Sequence, residues 1–453
     1  MATEDNLVPV LADALDRVED KKAAGEGMRA MMSRASEIGS MDTARLAGAA
    51  MTETSRNMVD DALTSYWQGR RLPQSLTGEV EVIVGAGFHA AVYAATRVKA
   101  GKPKPVVVDM TDAAHIGGQF AVSKRGSWYL NSENRPGLPG FPADGDALNY
   151  LPGAMVQPAD FDDGEFSTNA AMRYVIRATL AQYAEVVPLV KVNGIRGTDV
   201  TSLRIKVDDA GGAEGYDSYY ATRVIDARGC GIPKNLAECD GERILTFSQF
   251  MAMADETFPY RDMSRVAVIG DGNSAYCVAE ALAGIGPARG MRTMRLDGAP
   301  KVDMYSPRMP RFNESFRDGQ RGRYLRLSSY LPSRGNPGAY NDMTVRNERA
   351  EATRAGDMVF VNGRQYTHAV YCTGFEVPQL APFTSDYNRQ FVKRGGRDIA
   401  VKFGDSETYA VGPAADLPFS RIESDIDFAS ITDNKVAMFR LAGPTAQLAG
   451  SLS

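Results

Sequence analysis

The chain has 453 residues and a net charge of −5, and its hydrophobic fraction of 44% is ordinary for a globular protein with a sizeable core. Its length predicts two or three structural units, and its weakly acidic balance gives no reason to expect nucleic acid as a partner. No apolar run approaches the ~20 residues of a membrane span, and the first residues lack the pattern of a signal peptide, so we expect a cytoplasmic protein without membrane contact.

The first 77 residues have the pattern of a helical extension. Apolar residues recur at helical spacing from Leu7 to Val18, and a second helical pattern, rich in Ala and Met, runs from about Thr43 to Trp67. We interpret this segment as a packing element or as a surface for a homo-oligomer. The alternative is a lid over a substrate, since methionines can form an adaptable apolar surface.

A dinucleotide-binding fingerprint follows the extension. After a predicted strand, Gly85, Gly87 and Ala90 stand at the spacing G-x-G-x-x-A and open a helical run of small residues. In this motif the first glycine permits a tight turn, the second lets a pyrophosphate approach the backbone, and the alanine allows close packing of helix on strand. A second predicted strand, 106–108, ends at Asp109, whose carboxylate can accept hydrogen bonds from a ribose. The alternative is a glycine-rich turn that only packs.

The next stretch carries glycines and amides suited to a second phosphate or a flat ring. Gly117 and Gly118 would let the backbone come close to such a group, and Gln119, Asn131 and Asn134 supply amide donors and acceptors. An ordinary loop with turn residues is the alternative interpretation of this stretch.

Further elements connect this stretch to the middle of the chain. A helix is predicted over 168–184, because its apolar residues lie on one face. Short strands are predicted after it at 186–192, 202–207 and 219–225, with glycines marking the turn between the last two.

A second fingerprint begins after a predicted strand at 266–269. The same G-x-G-x-x-A spacing opens another helix, which predicts a second nucleotide site. The residues of this turn that we expect to contact a nucleotide are Gly270, Gly272, Asn273, Ser274 and Ala275.

The strand that follows the second fingerprint, 301–305, has no acid at its tip. Arg308 and Arg311 come shortly after it instead. Arginine at this place can pair with a 2′-phosphate, which favours NADPH over NADH. The alternative is a solvated run of charges.

A hairpin is predicted in the last third of the chain. Strands at 358–361 and 366–372 stand on either side of Asn362-Gly363, which is a strong turn signal. The second of these strands runs into a glycine turn at Thr373-Gly374.

A late glycine turn follows. A strand from Tyr409 enters Gly412-Pro413, and a final helix is predicted at about 425–441. The N-terminus of that helix could bring further backbone N–H groups toward a cofactor.

Two fingerprints in one chain, each followed by a strand that ends in a glycine turn, form an internal repeat. This arrangement resembles the two-dinucleotide-binding-domain flavoproteins, a family that includes thioredoxin reductases and class B flavin monooxygenases. The resemblance covers roughly residues 79–445 and implies an α/β fold with two Rossmann-like domains. The implied units are the N-terminal helical extension 1–77, an FAD-binding domain 78–240 and 376–453, and an inserted NAD(P)H-binding domain 241–375.

The resemblance also implies roles for individual residues. The first fingerprint and Asp109 would bind FAD, and the second fingerprint would bind NADPH. Gly117-Gly118-Gln119 is similar to the G-G-Q segment of thioredoxin-reductase-like members, and a segment similar to their N-x-P-G begins at Asn134. Thr373-Gly374 resembles the turn after the return strand, and Gly412-Pro413 resembles the late flavin-contacting turn. The candidates for hydrogen bonds near the flavin ring are Gln119, Asn131 and Asn134.

Two departures from the family bear on its subtypes. The four cysteines form no C-x-x-C, so the dithiol relay of thioredoxin reductases has no residues on which to run. The late turn reads Gly412-Pro413, as in many flavin monooxygenases, but the F-x-G-x-x-x-H signature of that group is absent. The three histidines are far apart, and nothing has metal-ligand spacing.

The preferred hypothesis is an NADPH-dependent FAD monooxygenase. Its partners would be O₂ and a small-molecule substrate, which would be oxygenated at nitrogen, at sulfur or in a Baeyer–Villiger reaction through a flavin peroxide. The first alternative is an FAD- and NAD(P)H-dependent reductase or dehydrogenase without a C-x-x-C dithiol. An alternative of another class is a non-catalytic flavoprotein that senses redox state or acts as a scaffold.

Overall fold

The structure is a computed structural model of the chain. The residues that it describes are 53–72, 80–121, 129–133, 166–196, 199–205, 213–229, 231–253, 262–270, 272–282, 300–307, 342–376, 389–415, 417 and 441–453. Three predicted site residues, Asn134, Arg308 and Arg311, lie outside these ranges. The predicted helices at 7–18 and 425–440 also lie outside them.

Helices and strands alternate along the described residues. The helices are α1 (Glu53–Trp67), α2 (Phe88–Lys99), α3 (Asn169–Tyr183), α4 (Phe247–Met253), α5 (Asn273–Leu282) and α6 (Ala442–Ser451). The strands are β1 (Glu81–Val84), β2 (Val106–Val108), β3 (Tyr129–Glu133), β4 (Phe166–Thr168), β5 (Glu185–Val187), β6 (Val190–Arg196), β7 (Asp199–Ile205), β8 (Ala213–Tyr220), β9 (Arg223–Asp226), β10 (Ile232–Pro233), β11 (Ile244–Thr246), β12 (Arg265–Ile269), β13 (Lys301–Tyr305), β14 (Met343–Arg346), β15 (Ala352–Ala355), β16 (Met358–Val361), β17 (Arg364–Tyr366), β18 (His368–Tyr371), β19 (Phe375–Glu376), β20 (Arg389–Arg394), β21 (Arg397–Phe403) and β22 (Thr408–Ala410).

The first sheet has seven strands in the order β20-β21-β22-β9-β1-β2-β5. Strands β22, β9, β1, β2 and β5 run parallel, and β21 and β20 continue the sheet as an antiparallel edge. Val82 in β1 faces Val106 in β2 and Val224 in β9. These valines are buried, because a parallel sheet with both faces covered requires apolar side chains on both sides.

Three helices cover one face of the first sheet. Helix α2 contacts both α3 and α6, and α1 packs on α3. The run of small residues in α2 permits this close packing, and its alanines at 90, 91, 94 and 95 are fully buried. Leu63 and Trp67 of α1 belong to the same core, so the described part of the N-terminal extension is packed on the first sheet's unit.

The second sheet has five parallel strands in the order β11-β18-β12-β13-β14. Helices α4 and α5 cover one of its faces, where Val268 and Met304 are buried among helix residues. A small antiparallel sheet of β15, β16 and β17 covers the other face, with Val359 and Tyr366 in contact with Ala267. Alternate residues along each strand therefore belong to different apolar cores.

The chain leaves the first sheet after β9, builds the second sheet, and returns to the first with β20, β21 and β22. The two crossing segments are paired with each other, because Ile232 of β10 faces Glu376 of β19 and Pro233 faces Phe375. The predicted α/β class with two Rossmann-like parallel sheets is confirmed by this topology.

Three strand predictions are wrong in their extent, each because one apolar run is split into two strands. The run 186–192 is divided between β5 and β6, with a break at Leu189, whose φ is +59°. The run 219–225 is divided between β8, which belongs to a separate three-stranded sheet, and β9 of the first sheet. The run 366–372 is divided between β17, which closes the hairpin at Asn362-Gly363, and β18 of the second sheet.

The helix predictions are confirmed where the structure describes them. The pattern at 43–67 ends in α1, and the pattern at 168–184 corresponds to α3. Helix α6 was not predicted, since its sequence is rich in Gly, Ala and Ser and has a weak apolar stripe. Within the described ranges, no helix has the length and apolarity to cross a membrane.

Candidate functional site

The first glycine of the first fingerprint is required by a close approach of two backbones. Gly85 has a φ of +98°, and a Cβ atom on it would lie 2.8 Å from the Cα atom of Arg228. The N–H of Ala227 donates to the carbonyl of Val84 at 2.9 Å, which holds β9 against the end of β1. No other residue type fits this turn without moving the backbone of β9.

The N-terminus of α2 is open at the edge of the sheet. Gly87 is its N-cap residue, no side chain caps it, and the first turn holds no acidic residue. Gly118, with a φ of +63°, lies against Gly87, because a Cβ atom on Gly118 would come within 3.2 Å of the Gly87 Cα atom. A backbone with N–H groups and no side chain in the way is what a pyrophosphate requires, so these residues fit a dinucleotide.

Asp109 at the tip of β2 is hydrogen-bonded to the fingerprint turn itself. Its Oδ2 atom accepts from the N–H of Ala86 at 2.6 Å. Its Oδ1 atom accepts from the N–H and the hydroxyl of Thr111, at 2.9 and 2.8 Å. A carboxylate has about four acceptor positions, so Asp109 can hold the turn and still accept one hydrogen bond from a ribose.

Gln119 directly follows the glycine pair. Its side-chain Nε2 atom is buried and has no hydrogen-bond partner among the described residues. A buried amide donor of this kind costs free energy unless a partner accepts from it, so it fits a polar ligand at this place. Asn131 lies in β3, which pairs with β4 outside the two large sheets.

The late turn at Gly412-Pro413 reaches the first site through a histidine that sequence reasoning missed. A Cβ atom on Gly412, which has a φ of +60°, would overlap the ring of His89. His89 is buried in the first turn of α2, and its Nδ1 atom lies 3.0 Å from Oγ1 of Thr445 in α6. The sequence gave one indication that His89 belongs to the site, because it stands inside the fingerprint, between Gly87 and Ala90.

Arg228 is a structural residue of the turn after β9. Its Nε and Nη2 atoms donate to the two carboxylate oxygens of Asp226 at 2.9 and 2.8 Å. Asp226 is 3% exposed, so this pair is shielded from solvent on the carboxylate side. This bidentate contact engages the Arg228 guanidinium within its own turn.

The second fingerprint repeats the geometry of the first. Gly270 has a φ of +132°, and a Cβ atom on it would overlap the carbonyl oxygen of Cys372. Among the residues that the structure describes, none has an atom within 4 Å of the place where a Cβ of Gly272 would stand. Helix α5 begins at Asn273, Ser274 is half-buried, and Ala275 is fully buried against the sheet. The open space at Gly272 fits the approach of a second pyrophosphate.

The turn after β18 lies at the same edge of the second sheet. The N–H of Cys372 donates to the carbonyl of Ile269 at 2.7 Å, and the carbonyl of Gly374 accepts from the N–H of Lys234 at 3.1 Å. The hydroxyl of Thr373 is hydrogen-bonded to the side chain of Asn235. Thr373 and Gly374 therefore belong to the junction between the two sheets as well as to the second site.

The tip of β13 is fixed by its neighbour β14. The N–H of Ser306 donates to the carbonyl of Arg346 at 3.0 Å, and Nη2 of Arg346 lies 2.9 Å from Oδ1 of Asp303. Burial alone would raise the pKa of Asp303, but hydrogen bonds from Tyr366, Arg346 and Arg265 lower it below its ordinary value. The ionised Asp303 thus holds Arg346 at the end of β14, next to the tip of β13.

The described cysteines do not form a reactive pair. Cys277 and Cys372 are 2% and 6% exposed, and neither forms a disulfide bond. Burial raises the pKa of Cys372 well above its ordinary value, and burial together with Glu238 raises the pKa of Cys239 to about 11. Cys239 and Cys372 are therefore protonated and weakly nucleophilic at neutral pH.

No protein-family model and no curated protein matches the chain. Solved structures with a partial likeness include an ornithine N-hydroxylase from Kutzneria sp. 744, which is 15% identical over 82% of this chain and 98% of its own, with a TM-score of 0.49. L-lysine 6-monooxygenase from Pseudomonas syringae is 13% identical over 82% and 99%, with a TM-score of 0.47. Bacillithiol disulfide reductase from Bacillus cereus is 14% identical over 82% and 99%, with a TM-score of 0.46. Identities and TM-scores of this size carry no family, activity or residue role to this chain.

Proposed function

We propose that this chain is an NADPH-dependent FAD monooxygenase acting on a small molecule. The observation that carries the proposal is the presence of two glycine turns, each opening a helix at the carboxyl edge of its own parallel sheet. Each such turn suits one dinucleotide, so one chain has places for two. A pair of dinucleotides in one chain favours electron transfer from one to the other.

The first site is assigned to FAD in this proposal. Gly87 and Gly118 leave backbone accessible to a pyrophosphate, and Asp109 has an acceptor position left for a ribose hydroxyl. Gln119 offers a buried amide N–H that has no partner among the described residues. Bound FAD would supply the redox chemistry, by accepting a hydride from reduced nicotinamide and passing electrons to O₂. The task of the chain is to orient the cofactor and exclude water around it.

The second site is assigned to the nicotinamide nucleotide. Gly272 leaves open space at the N-terminus of α5, and Asn273 and Ser274 are the first residues of that helix. The preference for NADPH rests on Arg308 and Arg311, which follow the tip of β13 in the sequence. This preference is the part of the proposal that depends on sequence alone.

Oxygenation is favoured over dithiol reduction by the cysteines. The sequence has no C-x-x-C, and the thiols of Cys277 and Cys372 are buried. A monooxygenase needs no thiol, since the overall reaction joins substrate, O₂, NADPH and a proton to give the oxygenated product, water and NADP⁺. One oxygen atom enters the product and the other leaves as water, so all four electrons are accounted for by NADPH and the substrate.

The division into an extension, a split FAD domain and an inserted NAD(P)H domain is also proposed, together with a cytoplasmic location. A homo-oligomer through the N-terminal helices is a further proposal. The face of α1 that carries Leu63 and Trp67 is used within the chain. An oligomer would therefore have to use another face of that helix or the residues before it.

The test is anaerobic reduction of the purified, FAD-loaded protein followed by mixing with O₂. NADPH should bleach the flavin absorbance faster than NADH. After O₂ is added with a panel of amines, sulfides and ketones, one class should consume O₂ in equal amount to product formed. The reductase alternative would be supported if O₂ gave only hydrogen peroxide with every substrate class. Fast turnover of artificial electron acceptors would support it further. Flavin that NADPH never bleaches would support the non-catalytic alternative.

A further inference from the structure

A buried carboxylate of the N-terminal helix lies between two buried guanidinium groups of α3. Asp60 in α1 is 8% exposed, and Arg173 and Arg177 are 1% and 0% exposed. Oδ2 of Asp60 accepts from Nη2 of Arg173 at 2.6 Å, and Oδ1 lies 2.5 Å from Nε of Arg177. Burying two cations is costly unless an anion lies beside them, and α1 supplies that anion to both arginines of α3, although its single charge offsets only one of theirs.

The two Nη atoms of Arg177 donate hydrogen bonds to two different parts of the chain. Its Nη2 atom donates to α1, at the Asp60 carbonyl (3.1 Å) and the Thr64 hydroxyl (2.7 Å). Its Nη1 atom donates to the carbonyls of Ala113 and Ile116, both at 2.9 Å. The planar guanidinium therefore links α1 to the loop after β2, a geometry that the point charge of a lysine does not reproduce.

The loop that Arg177 holds leads directly into the first nucleotide site. Ile116 precedes the glycine pair, and the N–H of Gly117 donates to the carbonyl of Ala86 in the fingerprint turn at 3.0 Å. A Cβ atom on Gly117 would lie 3.8 Å from Cγ of Arg177, so the arginine stem packs under this glycine. Beyond it, Gly118 lies against Gly87 at the N-terminus of α2.

Further contacts around Arg177 strengthen the link between α1 and the loop after β2. The guanidinium carbon lies 4.8 Å from the ring centre of Trp67, at the end of α1. Nη2 of Arg173 donates to the carbonyl of Ala114 at 2.8 Å, between the two carbonyls that Arg177 holds. Burial lowers the pKa of Arg177 to about 10, so the group stays charged at neutral pH. Three carbonyls of the loop backbone are thus bound by two arginines that share the carboxylate of Asp60.

We propose that Arg177 is a positioning residue for FAD and that helix α1 is a required part of the flavin site. The inference rests on the proposed function in one respect, the assignment of the first site to FAD. Arg177 sets the carbonyls of Ala113 and Ile116, and through them the backbone of Gly117-Gly118-Gln119. The N-terminal helix acts on the cofactor indirectly, by holding the charge and orientation of that arginine.

The experiment compares Arg177→Lys, Thr64→Val and Asp60→Asn with Asp61→Asn, a control that removes an exposed carboxylate from the same helix. Full-length apoprotein is titrated with FAD by flavin fluorescence and, separately, with NADP⁺ by calorimetry. Arg177→Lys should weaken FAD binding at least about tenfold, because both hydrogen bonds to the loop carbonyls are lost, and Thr64→Val about threefold, because one of the bonds that orient the guanidinium is lost. Asp60→Asn should resemble Arg177→Lys. The control should stay near wild type, and NADP⁺ affinity should be unchanged in all four variants.

Three other outcomes are decisive. FAD affinity in Arg177→Lys within twofold of wild type would overturn the inference. The inference would also be overturned if the affinities for FAD and NADP⁺ and the melting temperature of the apoprotein all fell together. That pattern would indicate a general loss of folding. Wild-type protein that binds no FAD would overturn the proposed function itself, and with it the assignment on which the inference rests.

Discussion

Asp109 accepts a hydrogen bond from the backbone N–H of Ala86 at 2.6 Å, which joins the tip of β2 to the turn after β1. The carbonyl of the same Ala86 accepts from the N–H of Gly117 at 3.0 Å. One peptide segment of the fingerprint is therefore held from both sides. The acid that the motif assigns to a ribose also fixes the turn in which the pyrophosphate would lie.

Replacing Asp109 should therefore weaken FAD binding for two reasons. Asp109→Ala removes a ribose acceptor and releases Ala86, and the loss of charged hydrogen bonds should raise the FAD dissociation constant by roughly 10- to 150-fold. The measurement is the FAD content of purified protein and a titration of the apoprotein. Asp61→Asn, which alters an exposed carboxylate of helix α1, is the control. Unchanged flavin content in Asp109→Ala would remove the first site from the proposal.

The two glycines of the second fingerprint should respond differently to alanine. Gly270→Ala should destabilise the fold by roughly 2–5 kcal/mol, because its φ is +132° and a Cβ atom would overlap Cys372. Gly272→Ala should leave the melting temperature unchanged, since no atom lies within 4 Å, but should weaken NADPH binding by filling the open space. Melting curves and NADPH titrations of both variants check this. A Gly272→Ala protein that binds NADPH normally would contradict the site.

Arg308 should discriminate between the two nicotinamide nucleotides. Arg308→Ala should raise the KM for NADPH by roughly tenfold or more, because a charged contact to the 2′-phosphate is lost. The KM for NADH, which lacks that phosphate, should change little, so NADH is the internal control. Equal increases for both nucleotides would remove the 2′-phosphate role from this residue.

His368 at the start of β18 should make stability depend on pH. Burial, and the charge of Arg243 next to it, lower its pKa from 6.5 to about 4. The unfolded chain then binds a proton that the folded chain does not, so stability is full above pH 6.5 and falls as pH drops toward 4. The contribution is about 3 kcal/mol at neutral pH.

The matching experiment measures melting temperature between pH 4 and 7 for wild type, His368→Gln and His115→Gln. His368→Gln should flatten the fall in stability at acid pH. His115→Gln is included because it removes a histidine from an exposed position elsewhere in the chain. Identical slopes for wild type and His368→Gln would show that His368 is not the group that titrates.

The sequence allowed prediction of features that depend on short spacing. Gly85, Gly87 and Gly270 were identified because the backbone contacts they make depend on the absence of a side chain. The strand at 301–305 and the turn at Asn362-Gly363 were identified for similar local reasons. The two-sheet organisation could be predicted because the dinucleotide-binding fingerprint occurs twice in the sequence.

Features that depend on distant residues could not be predicted. The contact between Asp60 and Arg173 joins positions 113 apart, and neither residue stands out in a local pattern. His89 and Thr445 meet across 356 positions for the same reason. The split of 219–225 between β8 and β9 was missed, because alternation of side chains does not tell which of two sheets a strand joins.

The strand order has a consequence for the sequence of events during synthesis. Strand β9 pairs with β1 on one side and with β22 on the other, and the whole second sheet lies between β9 and β22 in the chain. The second sheet has all its strands once residue 371 has left the ribosome, while the first still shows an open edge at β9. The first nucleotide site is therefore finished last, when Gly412 reaches His89.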